Sequence, residues 1–91
     1  MDIKNVVQHA TQHLRDMFGE HQPEDILLEE VLRSDDGRYW SVTLSFSRLV
    51  QNLHDPLQML NIKKEYKREY RVFHLDPETG DLIAIGSVKD V

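Results

Sequence analysis

The chain has 91 residues, no cysteine and a formal net charge of -5, with 16 Asp and Glu against 11 Lys and Arg. That length supports one core, so residues 1–91 are expected to form a single domain. Without cysteine there is no disulfide and no thiolate for zinc, iron–sulfur or nucleophilic chemistry, and the acidic balance argues against general affinity for nucleic acid.

The first residues, "MDIKNVVQHATQHL", interrupt their apolar positions with Lys4, Asn5, Gln8 and His9, unlike a signal peptide or a spanning helix. The chain therefore reads as soluble, unprocessed and cytoplasmic, with no membrane partner. Ile3, Val6, Val7, Ala10, Leu14, Met17 and Phe18 recur at helical spacing and predict an amphipathic helix from about residue 2 to 18. Asp2 can cap its start, Gly19 suits the position after its end, and Pro23 discourages continuation. His9 and His13 are four apart on this helix, the spacing of two zinc ligands. No Glu follows His9, and Glu20 and His21 lie beyond the helix end, so the expectation is a pair of solvated histidines and no metal.

"DILLEEVLRS" is apolar enough for a strand but lacks clean alternation, leaving its core face open between Ile26, Leu28, Leu32 and Leu27, Val31. "RYWSVTLSFS" alternates strictly, with Trp40, Val42, Leu44 and Phe46 on a buried face and Ser41, Thr43, Ser45 and Ser47 on a wet one. Between them Ser34-Asp35-Asp36-Gly37 reads as a tight hairpin turn. The carboxylate neighbours Glu29-Glu30 and Asp35-Asp36 do not form a catalytic pair, because adjacent strand residues point to opposite faces and a turn is wet. The serines lack a strained elbow or a neighbouring base, and no phosphate-loop motif occurs.

Residues 48–62, "RLVQNLHDPLQMLNI", break the strand pattern, and Asp55-Pro56 suits the start of a short helix. Leu49, Val50, Leu53, Leu57, Met59, Leu60 and Ile62 are many apolar residues for a connection. They either cap the open end of the core or form an association surface, and the first six are the candidate partner-binding residues. "EYKREYRVFHL" predicts a third strand with Tyr66, Tyr70 and Val72 on one side, and "DLIAIGSV" a fourth. Five of the basic residues, Lys63, Lys64, Lys67, Arg68 and Arg71, fall within nine positions and interleave with Tyr66 and Tyr70. Rings beside cations can stack on single-stranded nucleic acid. The competing account is an edge strand guarded by cations, with its tyrosines packed partly into the core, and the net charge favours it.

The expected architecture is α+β: one N-terminal amphipathic helix on a four-stranded antiparallel meander, α-β-β-β-β in two layers. Within "VFHLDPETGDLIAIG", Asp76, Glu78 and Asp81 surround Gly80 without the calcium-loop pattern. Pro77 and Gly80 instead suit a turn closing the last hairpin. The stretch "YRVFHLDPETGDLIAI", Tyr70 to Ile85, resembles the hairpin of PepSY-like domains, and is similar to the end of small bacterial α+β proteins. The resemblance implies a noncatalytic binding or inhibitory module, and no functional residue is carried over from it.

The expected function is therefore protein–protein association, homodimerisation included, through one sheet face or the 49–62 segment, with no enzymatic activity and no cofactor. A second reading is a nucleic-acid module on the 63–71 strand. A third is an enzyme or metal protein joining His9, His13 or His74 to carboxylates. The nine acids against three Lys or Arg in the first 36 residues also allow an immunity or inhibitor protein for a basic toxin or nuclease.

Overall fold

In the computed structural model, which describes residues 1–50 and 65–87, the Asp2 carboxylate accepts the backbone N–H of Asn5 at 2.8 Å and starts helix α1, Ile3–Phe18. Gly19, at φ 56, ends it. Four strands follow: β1 (Glu24–Arg33), β2 (Trp40–Val50), β3 (Glu65–Leu75) and β4 (Leu82–Ser87). Each pairs antiparallel with the next, in the order β1-β2-β3-β4, so the α+β meander is as expected. Among the described residues no helix is long and apolar enough to cross a membrane.

The alternation of β2 decides where α1 sits. Val42, Leu44 and Phe46 are buried against Val6, Ala10 and Leu14 of the helix, with Phe73 and Leu75 from β3 closing the cluster. Phe18 meets Phe46 edge-on at 5.3 Å between ring centroids, the geometry that sets a ring's positive edge against a neighbour's negative face. The buried part of α1 is shorter than its apolar stripe. Ile3 and Met17 share the stripe's angular range yet are exposed, because they belong to the terminal turns.

β1 resolves its two possible core faces into neither. Ile26 and Val31, an odd number of residues apart, both pack on the core. The register shifts between Glu24 and Leu27 and again between Leu28 and Glu30, and an extra residue in one strand reverses which side chains face inward. Leu27 and Leu32 consequently lie opposite Ser45 and Ser41, on the face away from α1. β2 and β3 pair without interruption from Trp40↔Leu75 to Val50↔Glu65.

Both described hairpin turns follow the residues predicted for them. In the first, Gly37 N–H reaches the Ser34 carbonyl at 2.9 Å with φ 71, and the Asp36 carboxylate accepts Ser34 Oγ–H and Arg38 N–H. In the second, the Asp76 carboxylate accepts the N–H groups of Glu78 and Thr79 at 2.8 and 3.0 Å, and Gly80 N–H reaches the Asp76 carbonyl at 2.9 Å.

Candidate functional site

Strand pairing assigns the basic and aromatic residues to two different surfaces. On β3, Arg71 lies opposite Leu44 and Lys67 opposite Arg48, on the helix side, whereas Arg68 lies opposite Ser47, on the other. A row of consecutive cations on a strand is split by its own pleat. Arg71 and Glu69 form an ion pair at 3.4 Å, Arg48 approaches the same carboxylate at 3.7 Å, and the Arg71 guanidinium sits 6.0 Å from the Phe46 ring. Among the described residues the basic candidates Lys67, Arg68 and Arg71 thus do not form one patch; Lys63 and Lys64 lie outside the described residues.

Tyr66 and Tyr70 lie opposite Leu49 and Ser45, on the face away from α1. This corrects the expectation that they enter the core, which is filled from β3 by Phe73 and Leu75 instead. No described element covers this face. It presents Leu27, Leu32, Leu49 and Tyr66, each between 40% and 55% exposed. Of the candidate partner-binding residues, Leu49 falls on it; Val50 ends β2, and Leu53, Leu57, Met59 and Leu60 lie outside the described residues.

Ser45, expected to be wet, is wholly buried at the centre of the same face. Its Oγ donates to Glu29 Oε1 at 2.6 Å and accepts from Arg68 Nη1 at 2.8 Å. Arg68 also donates to the Asp25 carbonyl at 3.2 Å and lies 3.8 Å from its carboxylate. The long Arg68 side chain therefore reaches across the serine row and ties β3 to β1. With donor and acceptor capacity both used and no access to solvent, this hydroxyl is a structural group rather than a nucleophile.

The histidines are also employed. His13 Nε2 lies 3.0 Å from the Gly80 carbonyl; a carbonyl only accepts, so Nε2 carries the proton. The His9 ring lies against the Gly80 α-carbon, close enough that a Cβ there would meet ring atoms at 2.7 to 2.9 Å. The i, i+4 spacing thus sets both rings against the β3–β4 turn and docks it on α1, with His9 exposed as expected and His13 half-buried. His74 lies opposite Ser41 on the uncovered face and stacks on Tyr39 at 4.4 Å. Among the described residues no group of three His, Asp or Glu is placed to hold a metal ion.

A cavity at the end of α1 is lined by Met17, Phe18, His21, Arg48, Leu49 and Tyr66. It mixes apolar walls with groups of both charges, and Glu20 and His21 sit here, just past the helix end, rather than beside His9 and His13 at Gly80.

No family model, no curated protein and no solved structure matches the chain.

Proposed function

We propose that this chain is a noncatalytic, cytoplasmic protein-binding module whose working surface is the sheet face opposite α1. One observation carries the reading: Leu27, Leu32, Leu49 and Tyr66 are all exposed on one face, around the Ser45–Glu29–Arg68 network, and no described element covers that face. An apolar surface of this kind is what association removes from water. The reading agrees with the noncatalytic role implied by the PepSY-like hairpin. A nucleic-acid role has less support, since among the described residues Arg68 is the one Lys or Arg that strand pairing places on this face, and it is engaged with Ser45 and Asp25.

A second observation bears on the partner's charge. Glu24, Asp25, Glu29 and Glu30 are exposed along β1, beside Leu27 and Leu32. Acids bordering an apolar face suit a basic protein, as an immunity or inhibitor protein would require, because opposite charge speeds encounter.

The test compares wild type with a Leu27→Ser, Leu32→Ser, Tyr66→Ser variant as baits in extracts of the source cells. Each captured protein is then purified and titrated calorimetrically. At least tenfold weaker binding by the variant is expected, with unchanged circular dichroism. Equal binding by the two baits overturns the reading, and an affinity indifferent to salt overturns the basic partner.

A further inference from the structure

The two outer edges of the sheet are built in opposite ways. β1 carries Glu24, Asp25, Glu29, Glu30 and Arg33, shifts register twice, and holds Asp25 at a positive φ of 55. Charges and bulges are the devices that keep an edge from pairing with another chain. β4, "LIAIGS", has no charged residue, and its one irregularity lies at its start, opposite His74 and Leu75. Beyond it, Ala84 to Ser87 pair regularly with β3. Among the described residues nothing pairs with the outer edge of β4, and Leu82, Ile83 and Ile85 are 39%, 55% and 37% exposed.

We infer that the outer edge of β4 pairs antiparallel with β4 of a second copy of this chain, joining two four-stranded sheets into one. This rests on the association reading and names a partner and a second surface for it. An antiparallel pair related by a two-fold axis sets a strand against itself, so an isologous interface requires a segment that tolerates its own side chains. β4 does: where Leu82–Ser87 overlaps its own copy, uncharged residues meet uncharged residues. β1 does not, since self-pairing would bring its four carboxylates towards their own copies. The net charge of -5 sharpens the choice. Two acidic copies repel over most of their surfaces, and the uncharged strand is where they approach without opposing like charges.

The axis runs perpendicular to the sheet, so both helices fall on the same side. Leu82 and Ile85 lie opposite Leu75 and Phe73, on the helix side at the fringe of the core. Pairing sets these fringes side by side and continues the apolar layer from one copy to the other. The backbone N–H and C=O groups on the outer edge of β4 gain partners at the same time.

The experiment is sedimentation velocity over a concentration series reaching the millimolar range, on wild type, Ala84→Lys, Ala84→Glu and an equimolar mixture of the two variants. Ala84 is exposed, near the middle of β4, and lies opposite His74 on the face away from α1, so the variants keep the core. Circular dichroism and melting confirm that they fold. Wild type is expected to move from the 10.7 kDa chain to twice that mass. Each variant alone should dimerise at least tenfold more weakly, and the mixture should recover the dimer through opposite charges. Outward amides of β4 should gain hydrogen-exchange protection as wild-type concentration rises. A wild type that stays monomeric, or a dimer indifferent to both variants, overturns the inference. So does capture of another protein's strand on β4 by a monomer. In each case the variant at Leu27, Leu32 and Tyr66 still tests the association reading by itself.

Discussion

Replacing Gly80 with alanine tests the docking of the last turn on α1 through two separable effects. Gly80 has φ 78, where a Cβ crowds the backbone at a cost of about 1–2 kcal/mol. That Cβ would also meet His9 Cγ, Nδ1 and Cδ2 at 2.7, 2.8 and 2.9 Å. Overpacking typically costs about 1–3 kcal/mol, and because the His9 side chain is exposed and can swing towards water, about 1–2 kcal/mol applies here. Gly80→Ala should therefore destabilise by about 2–4 kcal/mol, lowering the melting temperature by roughly 10–25 °C for a domain of this size. His9→Ala alone should change stability by only about 0.5 kcal/mol. In the double variant the steric part disappears and about 1–2 kcal/mol remains, so the pair couples by about 1–2 kcal/mol. Urea titrations of all four proteins, followed by far-ultraviolet circular dichroism and Trp40 fluorescence, measure this cycle. A Gly80→Ala cost that is the same with and without the His9 ring would refute the packing, and a cost near zero would refute the backbone conformation as well.

Ser45→Ala removes a buried hydroxyl that serves both Glu29 and Arg68, and should cost about 1–2 kcal/mol in urea denaturation; a neutral result would contradict the network. Phe46→Ala empties the centre of the core and loses the edge contact with Phe18. Its expected cost of about 3–5 kcal/mol is a large part of a small domain's stability, so circular dichroism at 25 °C should show a partly unfolded population. The Asp76 carboxyl is held below the ordinary 3.8 by the N–H groups of Thr79 and Glu78, and Asp36 likewise by Arg38 N–H and the Ser34 hydroxyl. Their lowered folded values mean that both contributions are fully present above pH 3.8 and drain away as pH falls through the lower folded values. Stability measured downward from pH 3.8 should fall less steeply for Asp76→Asn than for wild type, and parallel curves would show that the turn does not use the charge.

Much of this fold is written in local patterns. The helix limits follow from Asp2, Gly19 and a 3.6-residue period, and the buried face of β2 follows from strict alternation at Val42, Leu44 and Phe46. Both described turns follow from Gly37 and Gly80, whose positive φ other residues adopt at a cost. β1 was not legible in the same way. Its bulges are a property of how it pairs with β2, so Ile26 and Val31 share the core despite opposite sequence parity. The candidate site was legible only in part. The alternation of β3 correctly groups Tyr66, Tyr70 and Val72, and by the same parity Arg68 belongs with the tyrosines, on the face opposite Lys67 and Arg71.

Two surfaces carried no local signal because each is made by partners distant in the chain. Ser45 looks like any solvated strand serine until Arg68, 23 residues away, lies over it and Glu29, 16 residues away, accepts its hydrogen bond. His9 and His13 look like a weak ligand pair until the turn at Gly80, 67 residues beyond His13, arrives between them. What the sequence determined by itself is what near neighbours decide: helix capping, turn chirality and strand alternation, because these depend on backbone sterics and hydrogen bonds within a few residues. What only the tertiary structure decided is which apolar side chains remain outside. Leu27, Leu32 and Ile85 are as hydrophobic as the residues of the core, and they are exposed because, among the described residues, one helix covers only the middle of one face of the sheet.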